Sequence, residues 1–153
     1  MKPRPHVFGK EHAAGCELAA ETLRTAGKLR LRVTGWSMFP SVRPRDVLMV
    51  ERVDCDGVGC GDIVLFERDG RLFAHRVLSR SGAKIVTRGD AMGRADAPIG
   101  EKEFLGKVTS IVRQGERMEA RRTRRVSERA VSAAMRGSEV AARVVAGWHA
   151  RNA

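Results

Sequence analysis

The sequence predicts a mainly-β domain with a helix on either side of it. Three observations carry this. Six short runs, alternating or continuously apolar, lie between residues 28 and 113. Turn residues separate them about every eight to twelve positions, the spacing of a small all-β barrel or sandwich. An Ala-rich stretch precedes the runs, and from about Arg117 the strand signal gives way to residues at helical spacing. The 153 residues are 42% hydrophobic, enough for one domain with its own core, which excludes wholesale disorder.

In chain order, residues 12–26 (HAAGCELAAETLRTA) hold good helix formers, with Ala19, Leu23 and Ala26 at helical spacing and Leu18 beside them. Gly27 is a stop signal. Residues 28–33 (KLRLRV) alternate strictly and read as a half-buried strand. Residues 34–40 (TGWSMFP) are a turn. Residues 47–50 (VLMV) and 63–66 (IVLF) read as buried strands, joined by a loop with three glycines. Arg68-Asp69-Gly70 signals a hairpin, with residues 72–78 as the return strand. Residues 83–88 (AKIVTR) and 104–113 (FLGKVTSIVR) complete the strands, separated by an irregular loop with two aspartates. Residues 117–150 lack Pro. Val126, Ala130, Ala133, Ala134, Val140, Val144 and Trp148 fall near one face, and Arg125, Arg129, Arg136 and Arg143 on others. This is a basic amphipathic helix, with an interruption expected near Gly137. The expected organisation is a helical leader over 1–27, the β domain over 28–113 and a basic tail over 114–153.

Charge divides the chain further. It carries 29 Lys+Arg against 18 Asp+Glu, a net +11. Residues 113–153 hold ten Arg and four Glu, or +6, leaving +5 for the first 112 residues. The tail therefore suits an anionic partner. Peripheral contact with an anionic membrane through residues 121–150 is one expectation. Packing on the domain or on a second copy, as a homodimer, is the other, and nucleic acid is disfavoured. No run of about 18 apolar residues spans a bilayer, and the first 21 residues lack the apolar core of a secretory signal. The expected location is cytoplasmic or peripheral on the inner membrane face. Cys16, Cys55 and Cys60 form an odd set, read as reduced thiols. No second cysteine pair completes a zinc site with Cys55 and Cys60.

Three segments carry chemistry when read together. Gly35-Trp36-Ser37-Met38-Phe39-Pro40 puts a serine on a tight turn directly after a strand. Such a turn presents Oγ outward and can aim backbone N–H groups at an oxyanion. Phe73-Ala74-His75-Arg76-Val77 puts the one histidine of the β region inside an apolar strand. A neutral imidazole there can take a serine proton near neutral pH. Thr87-Arg88-Gly89-Asp90 leads into a loop in which Asp90 and Asp96 are six residues apart. Either carboxylate could orient the imidazole through its second nitrogen. Arg45-Asp46 and Gly61-Asp62, each preceding a strand, read as structural turns rather than catalytic groups.

In this order the motifs Gly-x-Ser-Met-x-Pro, x-Asp-Val, Gly-Asp-Ile-Val, His-Arg-Val, Thr-Arg-Gly-Asp…Asp and Gly-Lys-Val resemble the signal peptidase I family, which shares a serine peptidase superfamily with LexA-like self-cleaving repressors. The resemblance covers about residues 28–113. It implies a mainly-β, LexA/signal-peptidase-like fold and a serine endopeptidase that cuts a peptide or leader sequence. Histidine at position 75 resembles the archaeal, endoplasmic-reticulum and sporulation branch, which has histidine where other members have lysine. The resemblance implies Ser37 as nucleophile, with its N–H in the oxyanion hole, and His75 as general base. It implies Asp96 as third member and Asp90 as support for the loop. It also implies Gly35, Met38 and Pro40 as substrate-binding positions, and no cofactor or metal. Gly35 stands where signal peptidases often carry a serine donor, as in LexA-like proteins. Two alternatives accompany this reading. One is a weak or inactive peptidase-like binding module. The other is a LexA-like self-processing regulator cut at Ala14-Gly15 or Ala26-Gly27, for which the 36 residues before Ser37 are short.

Overall fold

The computed structural model describes residues 9–123 and 126–137. Helix α1 (Gly9–Ala26) comes first. Seven strands follow: β1 (Lys28–Arg32), β2 (Val47–Glu51), β3 (Ile63–Arg68), β4 (Arg71–Ser81), β5 (Lys84–Arg88), β6 (Phe104–Arg113) and β7 (Glu116–Glu119). Helix α2 (Val126–Gly137) ends the described chain. Every strand pairing is antiparallel, in one sheet of order β1-β2-β6-β3-β4-β5 with β7 added to β6. The expected mainly-β class, with a helix at each end, is what the chain forms.

Strand β6 shares its length among three neighbours. Residues 104–107 pair with β3, 107–112 with β2 and 110–113 with β7. The sequence carries no signal for strand β7, which lies where the basic tail is expected to begin. Its four residues (ERME) are all exposed, so no apolar periodicity marks them. Only the Gln114–Gly115 turn, with φ of 51° and 87°, folds them back onto β6. The anticipated Asp-Gly hairpin between β3 and β4 is present, with φ of 53° at Asp69 and 70° at Gly70.

Strand β3 is covered on both faces, which explains its unbroken apolar run. Ile63 and Leu65 join Leu23, Met38, Val42, Leu48, Val50, Val108 and Ile111 in one buried cluster. Val64 and Phe66 join Val77, Ile85, Ile99 and Phe104 in another. Helix α1 belongs to the first cluster. Its buried face is Cys16, Ala19, Ala20 and Leu23, whereas Leu18 is 69% exposed and Ala26 lies outside the core. Gly27, with φ of 70°, ends the helix by donating its N–H to Leu23 O. Leader and sheet thus share one core across residue 27.

The two Asp-containing strand entries are structural. Asp46 accepts from the Arg43 N–H and from Arg113 Nε and Nη2. Asp62 accepts from the Gly59 N–H and from Arg122, with Lys107 3.1 Å away. The start of the tail is therefore seated on the sheet. In α2, Arg129, Ala130, Val131, Ala133 and Ala134 are exposed, while Met135 and Arg136 are half-buried. Val140, Arg143, Val144 and Trp148 lie outside the described residues, as does Arg125. Among the described residues no helix is long and apolar enough to cross a membrane.

Removing the Leu23 side chain opens a cavity between α1 and the sheet. Leu23→Ala is expected to lower the unfolding free energy by about 2–5 kcal/mol. Leu18→Ala, on the exposed face, should change it by less than about 0.5 kcal/mol. Urea unfolding of the two variants checks this, and equal small losses would detach α1 from the core.

Candidate active site

The serine turn is fixed from below by its neighbours. After β1, Val33 exchanges hydrogen bonds with the next connection, Val33 N–H to Asp46 O and Arg45 N–H to Val33 O, both 2.8 Å. The chain then turns through Trp36 to Ser41. Phe39 N–H donates to Trp36 O and Val42 N–H to Met38 O. Met38 (3% exposed) and Val42 (1% exposed) anchor this turn in the first cluster. Ser37, between exposed Trp36 and buried Met38, is left half-buried at the surface.

Strand β4 brings the histidine to this turn. His75 pairs across the sheet with Val64 and is 5% exposed. Its ring meets Phe66 edge-on, centroids 5.9 Å apart, and lies 5.8 Å from Phe73. The two phenyl rings stack at 5.4 Å. This apolar wall limits the imidazole's rotation. His75 Nε2 lies 3.0 Å from Ser37 Oγ, and His75 Nδ1 lies 2.7 Å from Asp96 Oδ2. A carboxylate on Nδ1 keeps the proton of the neutral ring there. Nε2 is then the acceptor, and the Ser37 hydroxyl donates to it.

The loop after β5 supplies the carboxylates. It can lie against the serine turn because residue 89 is glycine. A Cβ there would come 2.5 Å from Ser37 O and 2.7 Å from Met92 Cγ. The Ala91 N–H donates to Ser37 O at 2.9 Å, tying the loop to the turn. Farther on, the Asp96 N–H donates to Thr87 O at 2.8 Å, and Thr87 Oγ1 donates to Asp96 Oδ2 at 2.6 Å. Burial pushes the Asp96 carboxyl toward higher pKa. Hydrogen bonds from His75 and Thr87, with the attraction of His75 and Arg68, outweigh burial and hold it below the usual carboxylate range.

Asp90 has a different place. It is 3% exposed and takes a two-pronged pair from Arg76, Nε to Oδ1 and Nη2 to Oδ2, both 2.8 Å. Ser41 Oγ donates to the same Oδ2 at 2.6 Å, and the Arg136 guanidinium donates to Asp90 O at 2.9 Å. Arg76 Nη1 donates to Gly61 O and Arg121 O, each at 2.8 Å. Successive residues of β4 thus engage the two aspartates, His75 with Asp96 and Arg76 with Asp90.

Of the sequence-derived candidates, Ser37, His75 and Asp96 come together. Asp90 supports the loop and the turn without touching His75. Gly35 lies in the turn and is half-buried. Met38 and Pro40 correct the expectation for substrate binding: both are buried. Met38 faces the core, where its sulfur accepts the Asp90 N–H at 3.4 Å, so neither side chain is presented to an incoming ligand. The self-cleavage bonds are not extended segments: Ala14-Gly15 is inside α1, and Ala26-Gly27 forms its capped end. Sequence reasoning gave no role to Thr87, Arg76, Ser41 or the Phe66–Phe73 wall. A signal existed for Thr87, which alternates with Ile85 on the inward side of β5, where a polar residue needs a partner. The three cysteines are unpaired with one another. Cys16 and Cys60 donate to Gly70 O and Leu78 O. Among the described residues, no group of three His, Cys, Asp or Glu side chains could hold a metal. No protein-family model matches the sequence, and no curated protein matches it.

The Asp96 shift has a direct consequence for stability. Its folded-state pKa lies below the unfolded value of about 3.9, so the contribution is complete above that value and is lost as pH falls through the folded pKa. Melting wild-type and Asp96→Asn protein from pH 7 to pH 3 should show a gap in Tm that narrows below about pH 4. A gap that stays constant would mean that Asp96 is not held ionised by these partners.

Proposed function

We propose that this chain is a serine endopeptidase of the signal-peptidase type, with Ser37 as nucleophile, His75 as general base and Asp96 as the group that orients it. The observation that carries the reading is the line Ser37 Oγ, His75 Nε2, His75 Nδ1, Asp96 Oδ2, with contacts of 3.0 and 2.7 Å. Nucleophile, base and orienting carboxylate within hydrogen-bond reach are what acyl transfer by a serine requires. In the first step Ser37 Oγ bonds to the carbonyl carbon of the scissile peptide, and its proton passes to His75 Nε2. The Ser37 N–H supports the oxyanion. Collapse of the tetrahedral adduct breaks the C–N bond, and His75 returns the proton to the leaving amine. Water, activated by the same imidazole, then releases the acyl group.

Trp36 replaces Met38 and Pro40 as the side chain for substrate to meet. It is 37% exposed, next to the nucleophile and 5.5 Å from the Phe39 ring. Exposed Arg121, Arg129 and Val131 suit the expected contact with an anionic bilayer. On this reading the protein works in the cytoplasm or on the inner membrane face.

The test is mass-spectrometric detection of cut bonds in a pool of extended synthetic peptides containing small residues. Wild-type protein should release fragments. Ser37→Ala and His75→Ala should each lower the rate by about 10³-fold or more. No cleavage by folded wild-type protein, or unchanged cleavage by Ser37→Ala, would defeat the reading.

A further inference from the structure

Thr87 is wholly buried, at 0% exposure, and nothing in the peptide-cleavage steps uses it. Its cross-strand neighbour is Val77, and it shares its side of β5 with Ile85. A hydroxyl in such a setting costs stability unless it is hydrogen-bonded. It makes one short bond, 2.6 Å to Asp96 Oδ2, the oxygen that also receives His75 Nδ1–H. A β-branched side chain has a stiff χ1, so this donor is held in a fixed direction.

Two pins join Thr87 to Asp96, and they do different things. The backbone pin, Asp96 N–H to Thr87 O at 2.8 Å, holds the loop. It leaves the Asp96 side-chain torsions free. The side-chain pin is the hydroxyl. The Asp96 side chain retains 24% exposure, so water can compete for its oxygens, and without a second donor the carboxylate can turn away from the imidazole. Arg68 attracts it only at a distance.

We infer that Thr87 is a positioning residue of this site: its hydroxyl, by donating to Asp96 Oδ2, keeps that oxygen on His75 Nδ1. The kinetic consequence rests on the peptidase reading above, whereas the hydrogen bond can be observed without any substrate. Because the backbone pin survives substitution, Thr87→Val removes the donor while keeping shape and loop anchorage, and Thr87→Ser keeps the donor while removing the methyl.

The experiment is proton NMR of the ¹⁵N-labelled full chain, following the strongly downfield Nδ1 proton of His75, assigned by its loss in His75→Ala. Wild type and Thr87→Ser should show it at nearly the same position. Thr87→Val should lose it or move it upfield, and Thr87→Ala serves the same purpose if the valine variant does not fold. In the peptide-cleavage assay, Thr87→Val should lower kcat on the order of 10–100-fold with KM changed by less than about threefold, and Thr87→Ser should recover most of kcat. A wild-type resonance that persists unchanged in the folded valine or alanine variant overturns the inference. So does its loss in folded Thr87→Ser, or its absence from wild type. If no peptide is cut, the resonance alone decides on Thr87, and only the peptidase reading falls.

Discussion

The buried ion pair between Arg76 and Asp90 is the constraint on which the site depends. Arg76 and Asp90 are 7% and 3% exposed. Taking both charges out of water is costly, and the two-pronged geometry, with further partners on each side, is what offsets the cost. Asp90 also holds Ser41 of the serine turn. Arg76 also reaches Gly61 O at the entry to β3 and Arg121 O at the base of the tail. The pair therefore joins β4, the β5–β6 loop, the entry to β3, the serine turn and the tail. Removing either partner would strand the other charge, a loss of about 3–5 kcal/mol in comparable buried pairs.

The alternation of a strand turns that anchor into the alignment of Ser37, His75 and Asp96. Adjacent residues of β4 point to opposite faces, so His75 packs on the Phe66 side while Arg76 takes the other. The β5–β6 loop follows both faces. Asp90 meets Arg76, and six residues later Asp96 meets His75. Gly89 permits the close approach to the Ser37 carbonyl that the path requires. Ser37, His75 and Asp96 come from three separate segments. The contacts that align them lie mostly outside the Ser37–His75–Asp96 line.

Much of this was legible in the sequence, because the informative residues are polar groups placed where strands should be apolar. His75 in an apolar strand and a serine on a Gly-containing turn stand out for that reason. The choice between Asp90 and Asp96 did not follow from composition or spacing, since both are loop aspartates near glycines. It takes the fold to show that one is consumed by Arg76. Met38 and Pro40 lie beside Ser37 in the chain, but proximity in sequence does not say which way a side chain points. Strand β7 was invisible because all four of its residues are exposed. Thr87 offered only an inward-facing hydroxyl, whose partner is nine residues away along the chain. The tail divides similarly. Its periodicity announced α2, but the seating of Arg122 on Asp62 is a long-range pairing of charges that no local pattern encodes.

The proposed chemistry turns on activation of Ser37 by His75. The most direct measurement is covalent labelling of folded protein with a fluorophosphonate, followed by peptide mapping of the modified residue. An activated Ser37 is predicted to carry the label, and His75→Ala should slow labelling by about 100-fold or more. A folded wild-type protein that takes no label, labels at another residue, or labels Ser37 equally fast without His75 would contradict the account.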